Sequence, residues 1–247
     1  VGLKIFEKVF KHRDFTKAVV NTLLLNVLDL IFSFPMPIIL ALLLNEIRVK
    51  WFKRTTQTLL YLPHFLSWVV IGAVAYQMFA TQSGVVNALI ANAGKSPIPF
   101  LQEDGWWLFS YVLIGVWQTM GWGTIIYLAA LSGVDPALHE AAQVDGASRL
   151  RRVWHIDLPG ILPTFVILLI LNCGNILSVG FEKVYLMQNS MNLRYSQIIS
   201  TYVYKIGLQQ QQYSYSAAIG LFNNGINFIL LVVVNQVSKK LSGSSLW

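Results

Sequence analysis

The chain has 247 residues, 55% of them hydrophobic and 12% charged, where soluble domains carry roughly 25% charged residues. Its mean hydropathy is +0.56, and the apolar residues gather into stretches of 20 or more with almost no charge. About 20 helical residues cross a hydrocarbon core of about 30 Å. The composition therefore points to an all-α, polytopic membrane protein and away from a water-soluble helical domain, whose helices would carry amphipathic stripes. The formal charge of +7 does not imply a nucleic-acid partner, because the basic residues lie between the apolar segments, where membrane proteins place them. Cys173 is the single cysteine, which excludes an intrachain disulfide and a cysteine-based metal cluster.

Residues 1–17 are polar and mixed in charge, with no cleavable signal peptide, and are expected to form an external segment. Five spanning helices follow, at about 18–44, 57–80, 106–131, 161–180 and 216–237. Pro35 and Pro37 predict a kink in the first. Pro63 sits in the opening turns of the second, and the third is rich in Trp and Gly. Neither an internal repeat nor a separate soluble domain is visible, so 1–247 reads as one membrane domain.

The connections orient the chain. If 45–56, 132–160 and the C-terminus face the cytoplasm, that side holds nine Lys/Arg and the other side also nine, five of them within 1–17. Setting the N-terminal segment aside leaves nine against four, which favours this orientation. Residues 81–104 and 181–215, the latter long and polar, are then external.

The most specific segment is Asp135–Pro163, DPALHEAAQVDGASRLRRVWHIDLPGILP. Asp135 can cap a helix that begins at Pro136 and carries Glu140, Ala141, Ala142 and Val144. Gly146 permits a sharp turn, and a second short helix is expected from about Ala147 to His155. Small residues around one acidic side chain suit a helix that lies in a groove of another protein.

Glu140-Ala141-Ala142, Asp145-Gly146-Ala147, Ile156-Asp157-Leu158-Pro159 and Pro163 stand in the order and spacing of the Glu-Ala-Ala cytoplasmic loop that this segment resembles, that of ATP-binding-cassette importer permeases. Gly123–Leu131, Leu43-Leu44-Asn45-Glu46, Thr201-Tyr202-Val203-Tyr204 and Tyr213-Ser214-Tyr215 extend the likeness over about residues 2–240. Together they resemble carbohydrate-importer permeases of the maltose-permease type, in the branch handling oligosaccharides and polysaccharide fragments such as alginate or aldouronate.

The resemblance implies a type I importer transmembrane fold in a bacterial inner membrane, with a sixth helix before Val1. The chain would then form half of a translocation pathway for a sugar, with an acidic one included, and would not itself be an enzyme. Its partners would be a second homologous permease, a dimer of cytoplasmic ATPases that bind ATP and Mg, and an external solute-binding protein. No cofactor would be bound by this chain. Glu140, Ala141, Ala142, Asp145, Gly146, Ala147 and Pro159 would form the ATPase-coupling element.

Other signals weigh less. Gly94-Lys95-Ser96 resembles the end of a phosphate loop, but the leading glycine is replaced by Leu89, so no nucleotide site is expected. His12, His64, His139 and His155 show no metal-ligand spacing. Asp29 is the one carboxylate well inside a span; it either contacts substrate or the partner permease, or holds neighbouring helices together. Trp117, Gln118, Trp122, Asn172, Asn175 and Asn223 offer the aromatic faces and amides that sugars need, and equally suit interhelical hydrogen bonding and interfacial belts. A membrane transferase would need clustered carboxylates or metal ligands, and the eleven acidic residues are scattered. A secondary transporter would show more buried acids and repeated halves.

Overall fold

Prolines set several of the helix breaks in the computed structural model, which describes residues 2–242; Val1, with which the external segment was expected to begin, and residues 243–247 lie outside the described residues. Helix α1 (Gly2–Lys11) is separated from α2 (Arg13–Leu28) by His12 in extended conformation. Residues 2–17 are thus mostly helical, and the first span starts earlier than its hydropathy suggests. A wide π turn, Asp29–Ser33, joins α2 to α3 (Met36–Asn45). In it the Phe34 N–H donates to the Asp29 carbonyl, five residues back, at 2.9 Å. Pro35 has no N–H to give and its ring crowds the carbonyl four residues earlier; widening the turn absorbs both defects without ending the helix. The run Arg13–Asn45 counts 33 residues, about 50 Å of helix at about 1.5 Å per residue, ample for a bilayer.

The second span departs from expectation. In place of one helix over 57–80, α4 (Lys50–Tyr61) runs into a 3-10 turn at Leu62–Phe65, and α5 (Trp68–Phe79) leaves it at a bend of 102°. Pro63 interrupts the ladder, Leu66 and Ser67 are extended, and the Ser67 hydroxyl accepts from the Val70 N–H at 3.4 Å to start α5 afresh. Each half has 12 residues, about 18 Å, too short to cross alone.

Helix α6 (Val85–Asn92) follows in a loop fastened by the buried Asn87 amide, which donates to the Ala80 and Ile98 carbonyls at 3.1 and 2.8 Å. The long apolar helix α7 (Asp104–Ser132) packs against α3, α4 and the 62–65 turn. Close approach there requires Gly121, where a Cβ would overlap the Leu60 carbonyl. Two loop helices come next, α8 (Pro136–Val144) and α9 (Arg149–Arg152). The π turn Val153–Asp157 then leads into α10 (Leu158–Cys173). The second loop helix is therefore the first turn of the fourth span, which runs Arg149–Cys173 and ends short of residue 180. Pro159 stands just after this second wide turn, as Pro35 does after the first.

The stretch read as a long polar segment is folded into α11 (Phe181–Met187), α12 (Leu193–Ser196) and α13 (Ile199–Tyr204) before α14 (Tyr213–Ser242). Buried polar groups of α2 hold it in place. The Asn21 amide donates to the Arg194 and Gln197 carbonyls, both at 2.9 Å, and the Thr22 hydroxyl accepts from the Ile199 N–H at 2.9 Å.

Three apolar clusters form the interior. One, around Leu25, Trp107, Tyr111 and Val184, joins α2, α7 and α11. A second, around Phe15, Tyr202 and Ile219, joins α2, α13 and α14. The third, around Ala41, Tyr127 and Ile161, joins α3, α7 and α10. Outward faces stay apolar, with Val20, Val27, Ile31 and Phe32 exposed, as a hydrocarbon solvent requires. Among the described residues, four helices are long and apolar enough to cross a membrane, or five if the bent pair is one span.

Candidate functional site: a docking loop and a cavity between the spans

The loop between α7 and α10 is built by local chemistry. Asp135 Oδ1 accepts from the Ala137 N–H at 2.9 Å, and Pro136 occupies the first helical position, where no N–H is needed. At the other end of α8, Gly146 takes φ +72°. Its N–H bonds the Gln143 carbonyl at 3.1 Å and the Ala147 N–H the Ala142 carbonyl at 2.8 Å, the paired bonds of a left-handed C-cap. Ala137, Glu140, Ala141 and Val144 share one helix face. Glu140, Ala141, Asp145, Gly146 and Pro159 are exposed, and Ala142 and Ala147 half-buried. Val144 is 89% exposed, and Leu138, Leu150 and Trp154 are also exposed. An acidic side chain amid small and apolar ones is what a protein groove would cover.

The opposite face of α8 is tied down. His139 Nε2 lies 3.3 Å from Asp157 Oδ1, and Asp157 is 2% exposed. Arg149 Nε lies 3.9 Å from Glu46 Oε2. The loop thus meets the start of the fourth span through His139 on α8, and the end of the first through Arg149 on α9.

Between the spans lies a cavity of about 450 Å³. Asp29 of the first wide turn projects into it and is served by three donors: Tyr111 Oη at 2.7 Å, Ser33 Oγ at 3.0 Å and Lys183 Nζ at 3.3 Å. Lys183, on α11, holds its ammonium 3.4 Å from the centroid of the Tyr111 ring. At the break in the second span, His64 stacks on Trp122, centroids 4.5 Å apart and planes 5° from parallel. His64 Nδ1 is buried without a partner. Asn172 also lines the cavity, its amide spent on the Leu168 carbonyl at 2.8 Å.

Of the pathway residues expected from sequence, Asp29, Trp122 and Asn172 therefore meet at one cavity. Trp117, Gln118, Asn175 and Asn223 do not line it. Trp117 points outward at 39% exposure and Gln118 is buried in packing. The Asn175 amide donates to the Leu171 carbonyl at 3.0 Å, and Asn223 has a buried Oδ1 without a partner. Helical phase explains the split on α7: Trp117 and Trp122 are five residues apart and face different ways.

Lys183, Tyr111 and His64 were not among the pathway residues expected from sequence. One signal for Lys183 was present: a carboxylate inside a span calls for a cation, and Lys183, Val184 and Met187 fall on one face of α11. Outside the spans, burial pushes the Tyr202 hydroxyl above the usual tyrosine range. It stays protonated beside His12 Nδ1, 3.2 Å away, which anchors the α1–α2 corner. No group of His, Cys, Asp or Glu able to hold a metal occurs among the described residues.

Comparison with known proteins places this geometry. The chain is 45% identical over its whole length to the polygalacturonan/rhamnogalacturonan transport system permease protein YteP of Bacillus subtilis, covering 77% of that protein. It is 31% identical over 99% of its length to the arabinooligosaccharides transport system permease protein AraP of the same organism, covering 76% of it. Among solved structures, a bacterial ABC transporter that imports the acidic polysaccharide alginate contains a chain of the same fold. The TM-score is 0.95 at 37% identity, over 98% of this chain and 85% of that one. The alginate transporter in complex with its alginate pentasaccharide-bound periplasmic protein gives a TM-score of 0.96 at 36% identity, over 100% of this chain and 85% of that one. Residues 16–243 match the family described as binding-protein-dependent transport system inner membrane component. The chain belongs to that family, as a permease subunit of the inner membrane.

Proposed function

We propose that the chain forms half of the translocation pathway of an ATP-driven oligosaccharide importer and couples ATPase closure to that pathway through the loop 132–160. The observation that carries this is the cavity of about 450 Å³ between the spans, walled by a carboxylate, an amide and a His64–Trp122 stack. Sugars present hydroxyls to carboxylates and amides and a C–H face to aromatic rings. The transport of polygalacturonan, arabinooligosaccharides and alginate for which the relatives are named supports the same class.

The partners are a second permease, a pair of cytoplasmic ATPases that supply the ATP and Mg sites, and an external binding protein that delivers the sugar. Residues 132–160 face the cytoplasm; residues 81–104 and 181–215 lie on the outward side, from which Lys183 reaches inward to the cavity. Glu140 docks against a basic groove of the ATPase, aided by the exposed Val144 and Leu138. When the ATPases close, α8 moves as a rigid body. The His139–Asp157 and Arg149–Glu46 straps pass the motion to the first and fourth spans, and the cavity changes the side to which it opens.

The test is reconstitution in liposomes. The complete assembly takes up oligosaccharide only with ATP and binding protein, and the permease alone hydrolyses no ATP. ATPase activity in the pure chain, or uptake without the ATPases, refutes the reading.

A further inference from the structure

Lys183 is a buried charge with few partners. The residue is 7% exposed and lines the cavity. An ammonium carries three N–H donors. Among its contacts, Asp29 Oδ1 is the one acceptor, at 3.3 Å, and the Tyr111 ring takes a second direction through its π face. Charge-assisted N–H···O bonds normally close to about 2.7–2.9 Å, so this pair is loose.

The two partners are not equally dependent on each other. Asp29 also receives Tyr111 at 2.7 Å and Ser33 at 3.0 Å, and keeps its charge solvated if Lys183 turns partly away. Among the described residues, Lys183 has no such second acceptor. A buried charge recovers its desolvation cost only when its remaining protons are also satisfied. Gly115 completes the arrangement: a Cβ there would overlap Nζ, so the missing side chain is what lets the ammonium reach the cavity wall.

We propose that Lys183 receives the carboxylate of an acidic sugar residue, a uronate, within the cavity, with Asp29 as the counter-ion that keeps it charged and in place when the cavity is empty. This rests on the reading of the cavity as the sugar pathway and narrows it to acidic oligosaccharides. Tyr111 and Ser33 damp the repulsion between Asp29 and an arriving carboxylate, and one ammonium can serve both anions. A neutral sugar hydroxyl is a weaker acceptor and leaves the ammonium under-satisfied, so charge on the substrate is what the site selects.

The experiment compares the assembled importer with a version carrying Lys183→Met and Asp29→Asn together, which removes both charges and leaves no unpaired ion in the membrane. Membrane level and thermal unfolding confirm that the pair is tolerated, and Lys183→Arg gives a second variant that keeps the cation. Uptake is measured in liposomes with trigalacturonate and an alginate trisaccharide, with their methyl esters, and with a neutral arabinotriose. The binding protein is the same throughout, so a changed preference belongs to the permease. Loss of one charge-assisted contact lowers acidic-sugar transport about tenfold to hundredfold. It should do so while transport of ester and neutral sugar, relative to acid, rises, and Lys183→Arg should keep most of the preference.

An unchanged acid-to-ester ratio in the doubly neutral variant overturns the assignment. So does wild-type transport of neutral sugar as efficient as that of acid, which would leave the oligosaccharide-importer reading intact. Failure to take up any of the sugars removes that wider reading as well.

Discussion

Gly115→Ala adds one methyl group to the middle of α7, and in an ordinary helix interior that change stabilises by about 1 kcal/mol. Here the new Cβ would overlap Lys183 Nζ and stand 3.0 Å from its Cε. The ammonium has to swing off the wall, and with the side chain 8% exposed little water is available to replace Asp29. Losing a charge-assisted hydrogen bond costs roughly 1.5–3 kcal/mol. Against the helix gain, the net loss is about 0.5–2 kcal/mol, an apparent Tm lower by about 1–8 °C for a chain of this size. Thermal unfolding in detergent, followed by tryptophan fluorescence, measures it. The same substitution placed on the Lys183→Met, Asp29→Asn background meets no ammonium and is expected to be neutral or stabilising; the difference between the two backgrounds isolates the clash. Equal stabilisation in both would refute the placement of Lys183 at this wall.

Two further outcomes concern the loop. Glu140→Lys should abolish sugar-stimulated ATPase and uptake at normal membrane level and be worse than Glu140→Ala, since it adds repulsion to the loss of about 1.5–3 kcal/mol; Gly146→Val should fail likewise, because a β-branched residue resists φ +72°. With Cys173 replaced by Ser, a cysteine at the exposed Ser148 should label only from the cytoplasmic side and one at the exposed Ser96 only from outside; the reverse pattern would overturn orientation and coupling together.

What the sequence made legible was what chemistry nearby in the chain decides. Asp135 before Pro136, and Gly146 after Val144, announce both ends of α8 because caps are built from residues within one turn. Apolar run length located the spans for the same reason. Pro63 was ambiguous. A proline in the first turn of a helix and a proline at a break look alike until one sees that Leu66 and Ser67 are extended. Asp29 could be flagged, but its cation could not be named, because Lys183 is 154 residues away and no periodicity links them. The folding of 181–209 was hidden for a related reason. Its anchors, Asn21 and Thr22, are buried polar groups on another helix, and composition alone reads such a segment as solvated.

The wide turn at Asp29–Ser33 also acts as a phase shifter. Each residue advances an α-helix by about 100°, so one extra residue in a turn rotates everything beyond it by that amount relative to an unbroken helix. It is this offset that lets Asp29 look into the cavity while Ala41 and Leu44, buried at 0% and 2% exposure, present themselves further along α3, the helix that packs against α7. Deleting a single residue between Asp29 and Ser33 would leave composition, hydropathy and span length almost untouched. Yet it would turn the far half of the first span by more than a quarter revolution and bring its lipid-facing side against α7.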